Sequence, residues 1–303
     1  MDTINLLQGI LSAEDICADE PMKNHTSFKT GGNARFFVTP PSPEKTAELV
    51  AELKKNNEKY IVIGNGSNLL VSDSGFDGTV VCIGRKMSDV TTEGDRITAM
   101  AGASLSRIAS AALKNSLTGF EFASGIPGSL GGAVVMNAGA YGGEMKDVVV
   151  KTTYVSETGD IKTMAGDEHA FGYRRSAFTG DKVVLSSVIQ LAYGDMAQIK
   201  HTSNELNSKR REKQPLEYPS AGSTFKRPEG YFAAKLIDDA GLRGARFGGA
   251  MVSEKHCGFV INYDNASSSD IFNLMKMIKN TVYDKFGVTL EPEVRLIGEF
   301  PVF

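Results

Sequence analysis

Two glycine-rich segments carry the residue types from which chemistry can be read. Residues 125–143 spell GIPGSLGGAVVMNAGAYGG, with seven glycines and only Tyr141 able to ionise, far above neutral pH. A missing Cβ lets backbone approach a ligand closely and take up positive φ. Exposed N–H groups in such a loop can cradle a phosphate or pyrophosphate. The second segment, GNGSNL, spans residues 64–69. The first reads as a binding wall for a nucleotide-type cofactor, because Asn137 and Tyr141 sit among the glycines with no evident role in a core. A tightly packed buried loop is the competing reading for the first segment, and an ordinary Asn-Gly turn for the second.

Neither segment fits the common nucleotide schemes. GNGSNLL places Leu69 where the dinucleotide fingerprint needs its third glycine, and no acidic residue closes a βαβ unit at the expected distance. No Gly-Lys pair occurs, so a Walker A loop is excluded. Two such loops facing one another could hold one pyrophosphate between them, which suits FAD. The candidate cofactor residues are Gly64, Asn65, Gly66, Ser67, Asn68 and Leu69 in one loop. In the other they are Ser124, Gly125, Ile126, Pro127, Gly128, Gly131, Gly132, Asn137, Gly139 and Tyr141.

The elements that must position these loops follow from periodicity and punctuation. Ser42-Pro43-Glu44 combines a cap, an N1 proline and an early acid, and opens a helix with Leu49, Val50 and Leu53 inward. Strands are predicted at 60–63, 79–83, 97–101 and 183–191, and an amphipathic helix at 104–114. A polar helix over 197–213 ends in Lys209, Arg210, Arg211 and Lys213 and is stopped by Pro215. Beyond it come a helix at 232–240 closed by Gly241, strands at 249–252 and 259–262, and a strand at 294–297. Ile271, Leu274, Met275, Ile278 and Val282 recur at helical spacing within 270–286, a core pattern.

Composition bounds the answer. A chain of 303 residues exceeds one ordinary core, and 41% hydrophobic with 23% charged residues is globular. A boundary near residue 195 divides it into 1–194, with lobes of about 1–83 and 84–194, and 195–303. The net charge of −3 creates no field for nucleic acid, so an anionic ligand must meet a local basic cluster. Cys17, Cys82 and Cys257 are scattered and lack metal-ligand spacing, which suggests reduced thiols in a cytoplasmic protein and no metal site. The first 15 residues resemble neither a signal peptide nor a membrane span.

Six strings in order give a more specific reading: NHTSFKTGGNARFFV (24–38), GNGSNLLVSDSGFDG (64–78), SGIPGSLGGAVVMNAGAYGGEM (124–145), YRRSAF (173–178), AGSTFKRP (221–228) and EPEVRLIG (291–298). Together they resemble the UDP-N-acetylenolpyruvoylglucosamine reductases over almost the whole chain. The resemblance implies an α+β protein. Its two-lobed domain of the vanillyl-alcohol-oxidase type binds FAD non-covalently, and a smaller C-terminal α+β domain binds the UDP-sugar. NADPH would be the reductant, UDP-N-acetylglucosamine enolpyruvate the substrate, and a monomer the expected state. The short 129–173 interval resembles the compact type II form.

The resemblance also assigns roles. The reaction adds a hydride to the terminal methylene carbon of a vinyl ether and a proton to the α-carbon, so a negative charge develops on the adjacent carboxylate. Such a site needs fixed positive charge and a proton source. Arg174 follows the family's tyrosine and is implied as the charge stabiliser, although Arg175 is a rival on sequence alone. Ser223 matches the serine implied to protonate the α-carbon; without the resemblance, Ser220 would serve as well. Glu293, directly before Val-Arg, is implied as the catalytic glutamate over Glu291, and donation from it would need a raised pKa or a proton shared with substrate. Arg210, Lys213, Lys226 and Arg227 could meet the UDP diphosphate, and Tyr231 could stack on uracil or sugar. A flavin oxidase or dehydrogenase acting on an alcohol or sugar, and a non-catalytic nucleotide-sugar sensor, are the rival readings.

Overall fold

The computed structural model describes residues 2–303. The chain forms two compact units. The first comprises residues 1–17, 36–65 and 78–210; the second comprises 18–35, 66–77 and 211–303. The expected boundary near residue 195 lies at the start of a long helix, and the main division between the units falls near that helix's end.

In the first unit, helices α1 (Thr3–Ile10) and α2 (Pro43–Lys55) bury Leu6, Leu7, Leu49, Val50 and Leu53 in one core. Ser42 caps α2, its hydroxyl accepting from the Lys45 N–H at 3.2 Å, so the local cap and the apolar stripe agree. Tyr60–Ile63 runs parallel to Phe76–Cys82, with Tyr60 opposite Thr79 and Ile63 opposite Cys82. A five-stranded antiparallel sheet has the order Ile161–Ala165, Val149–Val155, Val183–Gln190, Arg96–Met100, Val90–Glu93. Helix α3 (Leu105–Lys114), capped by Ser104, and α4 (Leu130–Val135) supply Leu105, Ile108, Leu130 and Val134 to the same core. Each such side chain contributes roughly 1.5–3 kcal/mol on full burial. Helix α5 (Met196–Lys213) carries the run of basic residues.

The second unit is built on an antiparallel sheet of Arg246–Phe247, Ala250–Val252 and Val260–Asn262. Helices α6 (Ala233–Asp239) and α7 (Ser268–Phe286) contribute Leu236, Ile237, Ile271, Leu274, Met275, Ile278 and Val282 to its core. Helix α7 begins at a capping box, Ser267 with Asp270, and ends at Gly287 with φ +67°. Asp73, distant in sequence, accepts from the N–H groups of Ser268 and Ser269 at 2.7 and 2.8 Å and from the Ser269 hydroxyl at 2.6 Å. Arg295–Ile297 pairs in parallel with Leu69–Val71.

Candidate functional site

The long glycine segment is pinned by backbone bonds to the start of α3. Leu130 N donates to Ala103 O and Gly131 N to Ala101 O, both at 2.8 Å, and Leu105 N donates to Gly128 O at 3.2 Å. Ser129 occupies the N-cap position of α4, yet its hydroxyl caps nothing. It is 2% exposed and has no hydrogen-bond partner among the described residues. A Cβ added to Gly64 would run into that hydroxyl. Buried polar groups are nearly always paired, so an unpaired serine beside an obligatory glycine fits a site completed by a polar ligand group. Ser129 escaped the sequence reading because a serine before Leu-Gly-Gly looks like a simple helix cap; the failure to cap is visible only in the fold.

The other glycines have distinct work. Gly66 has φ +60°, and a Cβ there would collide with the His25 carbonyl. Gly139 and Gly143 are pressed against Glu144 and Phe122. A Cβ on Gly125 would meet Asn207 and Arg210 of α5. Asn207 Nδ2 also donates to Ser124 Oγ at 3.2 Å. Arg210 is buried at 9% exposure, and that burial lowers its pKa against the opposing electrostatic effect of the Tyr141 phenol. Tyr141 is 45% exposed with φ +54°.

Asn137 was expected to face the cofactor, but its side chain turns inward. It is fully buried, donating from Nδ2 to Gly172 O at 3.1 Å and to Glu144 Oε2 at 3.0 Å, while Oδ1 accepts from Lys146 N at 2.9 Å. These bonds use both amide donors and one acceptor position, so the side chain is committed to the protein rather than to a ligand. Gly172 and Arg175 close a turn through N–H···O bonds of 3.0 and 3.2 Å, with Arg174 inside it at φ +54°. Glu144 is ion-paired to Lys146 at 2.8 Å. The hydrogen bond from Lys146 holds its carboxyl below the ordinary value, helped by Asn137 and by the charges of Lys146 and Arg174, against burial.

In the second unit, the segments bearing Ser223 and Glu293 run side by side. Glu293 N donates to Thr224 O and Lys226 N to Glu291 O, both at 2.9 Å, and Phe225 bridges Pro292. Thr224 is buried, its hydroxyl accepting from Val260 N at 2.9 Å, whereas Ser223 is exposed. Asn68 was expected among the cofactor contacts. Its Nδ2 donates to Glu293 O and its carbonyl accepts from Arg295 N, both at 3.0 Å. Glu291 pairs instead with Lys226 at 3.3 Å. Arg227 lies over the Phe232 ring at 4.2 Å, and Lys213 and Tyr231 are exposed.

Comparison with known proteins then bears on the identity. Residues 34–165 match the family model described as FAD binding domain, and residues 214–297 match UDP-N-acetylenolpyruvoylglucosamine reductase, C-terminal domain. A UDP-N-acetylenolpyruvoylglucosamine reductase of Caldanaerobacter subterraneus subsp. tengcongensis is 51% identical over 98% of this chain and 98% of its own. The chain belongs to the UDP-N-acetylenolpyruvoylglucosamine reductase family. One from Clostridioides difficile is 48% identical over 98% and 97% of the two chains. The solved reductase of Thermus caldophilus superposes with a TM-score of 0.80 at 30% identity, covering 93% of this chain and 98% of that one. A glucose dehydrogenase, Phl p 4.0202, shares the fold alone, with a TM-score of 0.51 at 14% identity over 95% and 64% of the chains.

Membership makes the chain an FAD-dependent oxidoreductase with an FAD-binding domain of the vanillyl-alcohol-oxidase type, as the sequence motifs implied. No described helix is long and apolar enough to cross a membrane.

Proposed function

We propose that this chain reduces UDP-N-acetylglucosamine enolpyruvate to UDP-N-acetylmuramate, a step in peptidoglycan precursor synthesis, with NADPH as the electron source. The observation that carries this reading is the main-chain pairing of the Ser223 and Glu293 segments, within a chain about half identical to named reductases over nearly its whole length. The proposed domain roles are FAD binding for 1–194 and UDP-sugar binding for 195–303, in a cytoplasmic monomer.

Ser129, Gly64 and the backbone of residues 124–132 are the groups proposed to hold FAD, which supplies the hydride when bound. Gly66, Ser67 and the Tyr141 segment are assigned to the same task. Arg174 presents a fixed guanidinium fork to the substrate carboxylate, where negative charge grows as the methylene carbon gains hydride. Ser223 then gives its hydroxyl proton to the α-carbon. Its exposure leaves the hydroxyl able to turn toward a ligand. Glu293, held by its backbone beside Ser223, shares a proton with the carboxylate so that two anions do not meet. Lys213, Lys226 and Arg227 are the proposed cations for the diphosphate, with Tyr231 beside the sugar or base. Arg210 is read as a brace of the Gly125 loop rather than a substrate cation, because it is buried there.

The test is anaerobic. NADPH should bleach the flavin absorbance, and UDP-N-acetylglucosamine enolpyruvate should restore it. Recovery with oxygen alone would make the protein an oxidase and overturn the assignment.

A further inference from the structure

Arg174 lies in a strained conformation that something must hold. A bulky residue at φ +54° is uncommon and persists where its surroundings over-determine it. The two backbone bonds between Gly172 and Arg175 close the turn around it. A third bond fastens that turn to the rest of the unit: Asn137 Nδ2 to the Gly172 carbonyl at 3.1 Å. The partners dictate the amide's orientation. A carbonyl and a carboxylate can only accept and Lys146 N–H can only donate, so Nδ2 must face Gly172 and Glu144.

Glu144 completes the arrangement. It takes the second Asn137 proton, is tied to Lys146 at 2.8 Å, and lies within the field of the Arg174 charge. Its carboxylate accepts a charge-assisted hydrogen bond from the Asn137 amide at 3.0 Å, and so holds that amide against the Gly172 carbonyl. Resting on the function proposed above, we propose that Asn137 and Glu144 are positioning residues for Arg174. Asn137 fixes the turn that sets the Arg174 backbone, and Glu144, accepting from the same amide, holds Asn137 in the orientation that does so. The long glycine segment thus has two jobs: residues 124–132 form a cofactor wall, and Asn137 with Glu144 forms the mount of a catalytic arginine.

The experiment separates the two half-reactions by stopped-flow flavin absorbance. Asn137→Gly removes the amide while glycine accepts φ +42° without strain. Glu144→Gln keeps an acceptor for Asn137 and removes the charge. Asn137→Gly should retain FAD and its reduction by NADPH, while reoxidation by UDP-N-acetylglucosamine enolpyruvate slows about 100-fold, the scale of a 1 Å misplacement. Glu144→Gln should slow the same step by less. In an Arg174→Ala background, Asn137→Gly should add no further loss, since both act through one group. Loss of FAD, or equal slowing of both half-reactions, would make Asn137 a cofactor or purely structural residue and overturn the proposal. Should Asn137→Gly fail to fold, unchanged reoxidation in Glu144→Gln overturns it. Wild-type protein that the enolpyruvyl substrate cannot reoxidise would instead sink the functional assignment itself.

Discussion

The Arg174 turn and the pairing of the Ser223 and Glu293 segments are held by different kinds of bond. The Arg174 turn is closed by its own backbone bonds but fastened to its unit through a side chain, the buried Asn137 amide, which Glu144 holds in turn. Ser223 and Glu293 depend on the main chain, through Glu293 N to Thr224 O, Lys226 N to Glu291 O and Arg295 N to Asn68 O. Main-chain bonds survive most substitutions because every residue but proline carries the same donor and acceptor. The arginine mount should therefore be fragile to distant substitution, and the serine-glutamate pairing robust except at the reacting groups.

The largest effect is expected at a reacting group. Ser223→Ala should slow reoxidation about 1,000-fold, as loss of a general acid does, while NADPH still reduces the flavin. Thr224, rather than Ser223, carries the pairing, so the melting temperature should stay unchanged. A fall in both half-reactions would mean that Ser223 belongs to the frame. Arg174→Lys should reduce the oxidative step about 100-fold, because an ammonium cannot reproduce a planar fork on a carboxylate. Near-normal turnover there would show that charge alone suffices and that the mount matters little.

Asn68→Ala probes the robust side. It removes one of several bonds around Glu293, so it should cost about 1 kcal/mol of stability and slow reoxidation far less than Asn137→Gly. Urea unfolding and single-turnover rates measured on both variants would reverse the contrast if Asn68→Ala proved worse. The smallest effect concerns Asp73. Burial alone would raise its pKa, but hydrogen bonds from Ser269 and Ser268 outweigh it and hold the carboxyl below its ordinary value. A depressed carboxylate stabilises the fold above the unfolded-state value near 3.8, and this contribution is lost as pH falls through the folded value. Asp73→Asn should thus lower stability by about 1 kcal/mol at neutral pH, the scale of a helix cap, with the difference from wild type closing near pH 3. A gap that persists in acid would show that packing, not charge, links Asp73 to α7.

Much of the frame was legible because it is local. Ser42 before Pro43, Ser104 before Leu105, and Gly287 after Phe286 each mark a helix end through the residue's own chemistry. The strand at Tyr60–Ile63 and the buried stripe of α7 followed from period alone. Other strands, such as Asn33–Val38, Val149–Val155 and Ile161–Ala165, were not read; a strand's stability comes from its neighbours in the sheet, which periodicity does not name.

The same division holds for the candidate site. Sequence by itself determined the family, the glycine loops and the three residues proposed for catalysis, because motif identity and order survive without coordinates. Only tertiary structure decided that Ser129 has a buried hydroxyl without a partner among the described residues, that Arg210 is buried against Gly125, and that Asn68 holds Glu293. It also turned Asn137 from the cofactor wall toward Gly172 and Glu144. Hydrogen bonds between residues far apart in the chain depend on where the backbone goes, and a residue's type records only what it can bond, not what stands within reach.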